Sequence, residues 1–231
     1  MTTRKEREQH VKNIFDSRRK YNSRMVATLT EDVETVMDEA STIFNEMIQS
    51  MAYVDDPDKP MALSLFACNI ILSIYLPIRS RGIDVHQFGR MVIEKMEQIP
   101  HKSPDQNSTD TSSVPPDFAG FIQGGEESRK HPIEGEFVFE AFPGNDNEYD
   151  WGMNITACAI CHSFSRYDAM DLVPYMCATD DVMSDMGEHG LRRTGSIAVG
   201  AHQCDFIYAS KGEASHIAGQ YPDKIQLVEK K

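Results

Sequence analysis

The sequence predicts an α+β protein: a helical N-terminal half followed by a mixed C-terminal half with a small antiparallel sheet. Three observations carry that reading. Apolar residues over the first hundred positions recur at helical spacing. A polar stretch rich in Ser, Thr and Pro, "KSPDQNSTDTSSVPPD" at 102–117, then interrupts the pattern. Beyond it, runs that alternate with period two are closed by Pro and Gly.

In "KEREQHVKNIFDSRRKYNSRM", Val11, Ile14 and Phe15 share one face of a first helix. The second helix, 30–53, opens at Thr30 followed by Glu31 and Asp32, an N-terminal capping pattern. Val33, Val36, Met37, Ala40, Ile43, Phe44, Met47 and Met51 form its apolar stripe. After the break "DDPDKP", residues 62–78 are apolar throughout except for a few small polar groups, with Asn69 inside and Pro77 near the end. A spanning helix needs about 20 apolar residues, so this segment reads as a buried core helix. Gly82 and Asp84 precede a fourth helix with Phe88, Met91, Val92, Ile93 and Met96 inward.

The polar stretch 102–117 buries too little apolar surface to offset its ordering entropy and reads as a flexible linker. It separates a helical region, 1–101, from an α+β domain, 118–231. In "EGEFVFEAFPGND", Phe137, Phe139 and Ala141 alternate with Val138 and Glu140 before Pro143-Gly144, a strand and its turn. Residues 155–187 read as helical with a break around Pro174, and 193–199 and 204–209 read as two short strands joined by "GAHQ".

The 231 residues are 40% hydrophobic and carry a formal charge of −13. That charge speaks against binding nucleic-acid phosphates or anionic membranes. The first 24 residues are highly charged and lack an apolar signal core, so a cytoplasmic location is expected. The partner expected is a small-molecule substrate, with no nucleic acid and no membrane. The helical half offers a face for homo-oligomer formation.

Five cysteines, Cys68, Cys158, Cys161, Cys177 and Cys204, are an odd number, which argues against a disulfide framework. Cys68 falls in the apolar helix and reads as a small core residue. Cys158-Ala159-Ile160-Cys161-His162 matches the C-x-x-C-H pattern. Covalent haem attachment normally follows export, which the charged first 24 residues are not expected to direct. A zinc site needs four donors, and Cys177, Cys204, His162 and His202 are spaced unlike a double C-x-x-C. A third reading is a cysteine nucleophile, with Cys158 near the start of a helix and Arg193 or His202 supplying positive charge or proton transfer.

Three blocks bring these residues together: "NITACAICHSFSRY", "DLVPYMCATDD" and "LRRTGSIAVGAHQCDFIY". Thr156 and Cys158, then Pro174, Cys177 and Asp180, then Arg193, Thr194, Ser196, Ile197, Ala198, Gly200, Cys204, Asp205 and Phe206 resemble the pattern of the L-2-amino-thiazoline-4-carboxylic acid hydrolase family. Cys161 and His162 depart from it. The resemblance implies a hydrolase that opens a small heterocycle at a C–N bond, a cyclic amidine or cyclic amide like a thiazoline carboxylate, with no cofactor.

In that frame Cys158 is the first choice of nucleophile and Cys177 the second. Asp180 acts as base or orients a donor, and Cys204 lines the pocket. Arg193 forks onto a substrate carboxylate, with Thr194, His202 and Asp205 also at the substrate. Strand alternation turns Cys204 inward and leaves Asp205 to pair with Arg192 or Arg193. Two alternatives remain beside this reading: a non-catalytic small-molecule binding or sensor domain, and a zinc-dependent hydrolase using the cysteine group.

Overall fold

The computed structural model describes residues 2–98, 114–145, 148–186 and 190–210; most of the expected linker, 102–113, lies outside them. Seven helices and four strands follow one another as α1 (Arg4–Val26), α2 (Val33–Ile48), α3 (Ala62–Ser80), α4 (Val85–Glu97), α5 (Phe118–Lys130), β1 (Val138–Asn145), β2 (Tyr149–Ala157), α6 (Ala159–Ser165), α7 (Val173–Met186), β3 (Gly190–Arg192) and β4 (Cys204–Ala209). The sheet is antiparallel in the order β1-β2-β4-β3, so the α+β class stands.

Local chemistry sets the helix starts. Thr3 caps α1 in a reciprocal capping box with Glu6. Asp84 caps α4 by accepting from the amides of His86 at 2.8 Å and Gln87 at 3.0 Å. The second helix is shorter than its apolar stripe suggests. It stops at Ile48, and Tyr53 takes a left-handed backbone with φ of 66°. The Tyr53 hydroxyl there accepts from the Phe137 amide at 2.7 Å, pinning the loop to the start of the sheet.

α3 is the one described helix long and apolar enough to cross a membrane, and 61% of that apolar window is buried. It packs against α2 and α6, as a core helix does. Each large apolar side chain buried there contributes about 1.5–3 kcal/mol. Its last turn does a second job: the Arg79 guanidinium donates to the carbonyls of Asp168 at 2.6 Å and Tyr167 at 3.1 Å. Those carbonyls belong to the bend between α6 and α7, where Asp168 sits at φ 51°.

The strand read from Phe137 onward is β1, which starts one residue later at Val138, and Phe137, Phe139 and Ala141 are buried as the alternation requires. α5 covers this face through Phe121, whose ring lies 5.0 Å from that of Phe139 and 5.9 Å from that of Trp151. Two expectations need correction. Residues 155–157 are the end of β2, not helix, and the chain turns helical only after Cys158. The break precedes Pro174, which stands in the first turn of α7, where its missing N–H costs nothing.

The second correction is that 193–199 is not a strand. β3 ends at Arg192, and 197–199 form a short 3₁₀ turn. The reason is the Asp205 carboxylate. It accepts from the amides of Thr194 (2.9 Å) and Gly195 (2.6 Å), so these donors are satisfied without a ladder.

α4 and α7 approach so closely that a Cβ on Gly89 would lie 2.2 Å from the Tyr175 ring. The Tyr175 ring is fully buried, and its hydroxyl meets His86 Nδ1 at 2.6 Å. Gly89→Ala is therefore expected to destabilise the fold by about 1–3 kcal/mol. A denaturant midpoint lowered at unchanged slope would show it; an unchanged midpoint would mean that the helices separate freely.

Candidate active site

α7 presents Cys177 and Asp180 three residues apart, hence on one face, with Asp181 beside them. The chain leaving β3 sends Arg193 into the same region. Its side chain is 1% exposed and donates to Asp180 Oδ2 at 3.1 Å, Asp181 Oδ1 at 2.7 Å and the Cys177 carbonyl at 3.0 Å. Its guanidinium also lies 5.1 Å from the centre of the Phe206 ring. The fork expected to meet a substrate carboxylate meets the protein's own carboxylates here. Arg193 does not pair with Asp205 either, and the Arg192 guanidinium donates to the Glu148 carbonyl at 3.2 Å.

The two aspartates differ. Asp181 is buried with its side chain 1% exposed. Asp180 keeps 43% of its side-chain surface open, although it is set deep among protein atoms. Loss of hydration pushes its pKa up to about 6; the charge on Arg193 pulls the other way, and that on Asp181 adds to the rise.

Opposite α7, Ser196 is buried and its hydroxyl lies between two sulfurs, 3.6 Å from Cys177 Sγ and 3.8 Å from Cys204 Sγ. Cys204 opens β4, is buried as strand alternation requires, and accepts from the Ile197 amide at 3.2 Å. Asp205 faces the other way. Its carboxylate also takes the Thr194 hydroxyl, at 2.5 Å, so it shapes the loop that carries Arg193 and Ser196. Thr194 is exposed and spends its polar groups on this carboxylate; His202 is exposed in the turn before β4.

Cys158 is the N-terminal cap of α6, its sulfur accepting from the Cys161 amide at 3.5 Å. The neighbouring Cys161 side chain and burial together push the Cys158 thiol well up. Burial does the same to Cys68, Cys177 and Cys204. Negative charge on Cys158 would raise each of those three thiols further. Cys68, Cys158 and Cys177 nonetheless keep partial solvent exposure. The sulfurs of α7 and β4 meet at the Ser196 hydroxyl.

Sequence reasoning treated Cys68 as plain core and gave Asp181 and Ser196 no role. The Asp180-Asp181 doublet ahead of an arginine is the signal that points to Asp181; nothing local marks Cys68. Among the described residues no group of three or more His, Cys, Asp or Glu side chains is arranged to hold a metal ion, so the zinc reading lacks a donor set there. A separate cavity of about 430 Å³ lies on the outer side of α6, lined by His162, Ser163, Arg166, Tyr53 and Asn69 among others. None of Cys158, Cys177, Asp180, Arg193 or Cys204 lines it.

An α+β fold whose C-terminal half joins Cys177 and Cys204 through Ser196, beside the Arg193 cluster with Asp180 and Asp181, defines the class of protein. The family follows from comparison: the model of the L-2-amino-thiazoline-4-carboxylic acid hydrolase family matches residues 81–208, more than half of the chain, and the chain belongs to that family. Searches of curated proteins and of solved structures gave no match.

Two outcomes are expected at this cluster. Arg193→Leu leaves Asp181 buried without its cation and lowers stability by about 3–5 kcal/mol, measured by denaturant unfolding; a loss under about 1 kcal/mol would mean that water replaces the guanidinium. The folded pKa of Asp180, about 6, lies above its ordinary 3.8, so the folded state holds the extra proton between those values. Its contribution to stability is complete below pH 4 and is lost as pH rises through 6. Subtracting the unfolding profile of Asp180→Asn from that of the unaltered chain should reveal this slope; parallel profiles would contradict it.

Proposed function

We propose that the chain hydrolyses a C–N bond in a small five-membered cyclic amidine or cyclic amide of the thiazoline-carboxylate kind, with Cys177 as nucleophile and Asp180 as its proton partner. The observation that carries the reading is the pairing on α7 of a half-open carboxylate titrating near 6 with a thiol one turn away. The family name supports the reaction class. Cys158, the other choice of nucleophile, has Cys161 beside it rather than a base.

Burial and the Asp180 charge both keep Cys177 protonated, so its proton must leave as the sulfur attacks. Cys177 Sγ adds to the sp² carbon between the two heteroatoms, and Asp180 takes the thiol proton. The adduct gains hydrogen bonds from Ser196 and from the protonated Cys158 thiol. It collapses as the C–N bond breaks, and Asp180 hands its proton to the leaving nitrogen. Water then attacks the thio-intermediate while Asp180 accepts its proton, and the Cys177 sulfur departs and recovers that proton. The net change is the addition of one water. Arg193 takes no substrate contact in this scheme; it fixes Asp180 against α7. Cys204 supports Ser196 from the sheet.

A panel of cyclic amidines, thiazolines, imides and hydantoins, read by mass gain of one water, tests the reaction class. Cys177→Ala should abolish turnover, and Asp180→Asn should lower kcat by about 10²–10⁴. The acid limb of kcat against pH should fall near pH 6. Full turnover by Cys177→Ala would refute the assignment of the nucleophile; no hydration of any panel member would refute the reaction class.

A further inference from the structure

Cys161 takes no part in the proton transfers proposed above, yet it faces Cys158 across the first turn of α6. Cys158 has an extended backbone, φ −102° and ψ 113°, and helix begins at the next residue. Its sulfur accepts from the Cys161 backbone N–H at 3.5 Å, so it lies over the very residue that carries the second thiol. Positions three apart at a helix start have Cα atoms about 5 Å apart, inside the disulfide range of about 4.4–6.8 Å. The bond needs no large backbone motion.

The other neighbouring sulfurs are placed differently. Cys177 and Cys204 both contact the Ser196 hydroxyl, which each uses as its hydrogen-bond partner. Access also favours the pair on α6. Cys158 and Cys161 are both partly exposed, and the residues directly after Cys161, His162 and Ser163, line the 430 Å³ cavity on the outer side of the helix.

We propose that Cys158 and Cys161 form a dithiol–disulfide couple, oxidised by low-molecular-weight disulfides of the glutathione class, which switches the proposed hydrolysis off by withdrawing the Cys158 thiol. The chemistry balances as thiol–disulfide exchange. One protein thiolate attacks the small disulfide, whose S–S bond breaks to release one thiol and leave a mixed disulfide. The second protein thiol attacks the protein sulfur of that bond and releases the second small thiol. The protein loses two electrons and two protons, and the small disulfide gains them.

The switch rests on the reading that Cys158 serves the hydrolysis; the couple itself does not. The full chain, incubated with oxidised glutathione, should lose two of its five thiols and about 2 Da in mass, one hydrogen per thiol. Peptide mapping should find the internal link between Cys158 and Cys161, reversed by dithiothreitol. Turnover of the best panel substrate should fall about tenfold or more on oxidation and return on reduction. Cys161→Ser should form no such link and keep its turnover in the oxidant. Both thiols remaining open to alkylation, or a glutathione adduct that never resolves, would overturn the couple. A link that forms and reverses while turnover stays constant would overturn the switch alone. A reduced chain that hydrates no panel compound, but still forms the link, would remove the hydrolase reading and leave the couple standing.

Discussion

The Arg193 guanidinium is the contact on which the C-terminal half depends. One buried cation joins three groups of α7, the Asp180 and Asp181 carboxylates and the Cys177 carbonyl, to the loop that leaves β3. Each partner has a consequence. Asp181 neutralises the cation in the interior. Asp180 is held against the guanidinium with much of its side chain open. The carbonyl ties the backbone that bears the Cys177 thiol to the same cation. Removing water from such a cluster is costly, and the packing of Phe206 over the guanidinium excludes it further.

A second anchor holds the loop from the other side. Asp205 points away from the thiols and gathers the amides of Thr194 and Gly195 and the Thr194 hydroxyl. The loop is thus fastened by a cation at its start and a carboxylate beneath its middle, and Ser196 follows directly. This is why the serine hydroxyl reaches both Cys177 and Cys204. The polar groups here organise one another before any ligand is present, as a preorganised site requires.

Much of this was legible in the sequence. Helical stripes placed α1 to α4, and alternation placed β1 and turned Cys204 inward, because each signal is a local period. The blocks around Cys158, Cys177 and Cys204 pointed to the family. What failed was tertiary. Ile155 was drawn into helix because nothing nearby reveals that β1 and β4 pair with it. The loop at 193–199 reads as strand until Asp205 is seen to take its amides. Arg193 was assigned to substrate because a sequence does not say which carboxylate an arginine meets. Cys68 looked like ordinary filling because its nearness to Cys158 and Cys177 depends on α3 crossing beneath α6.

That crossing bears on where the family's boundaries fall. The matched segment begins at residue 81, one position beyond α3. Yet Arg79 clamps the bend between α6 and α7, and Asn69 accepts from the Ser163 hydroxyl at 2.6 Å. α3, outside the matched segment, therefore supplies the floor against which α6 packs. A relative that kept the matched segment without such a helix would leave the turn between α6 and α7 unfastened, free to swing the start of α7.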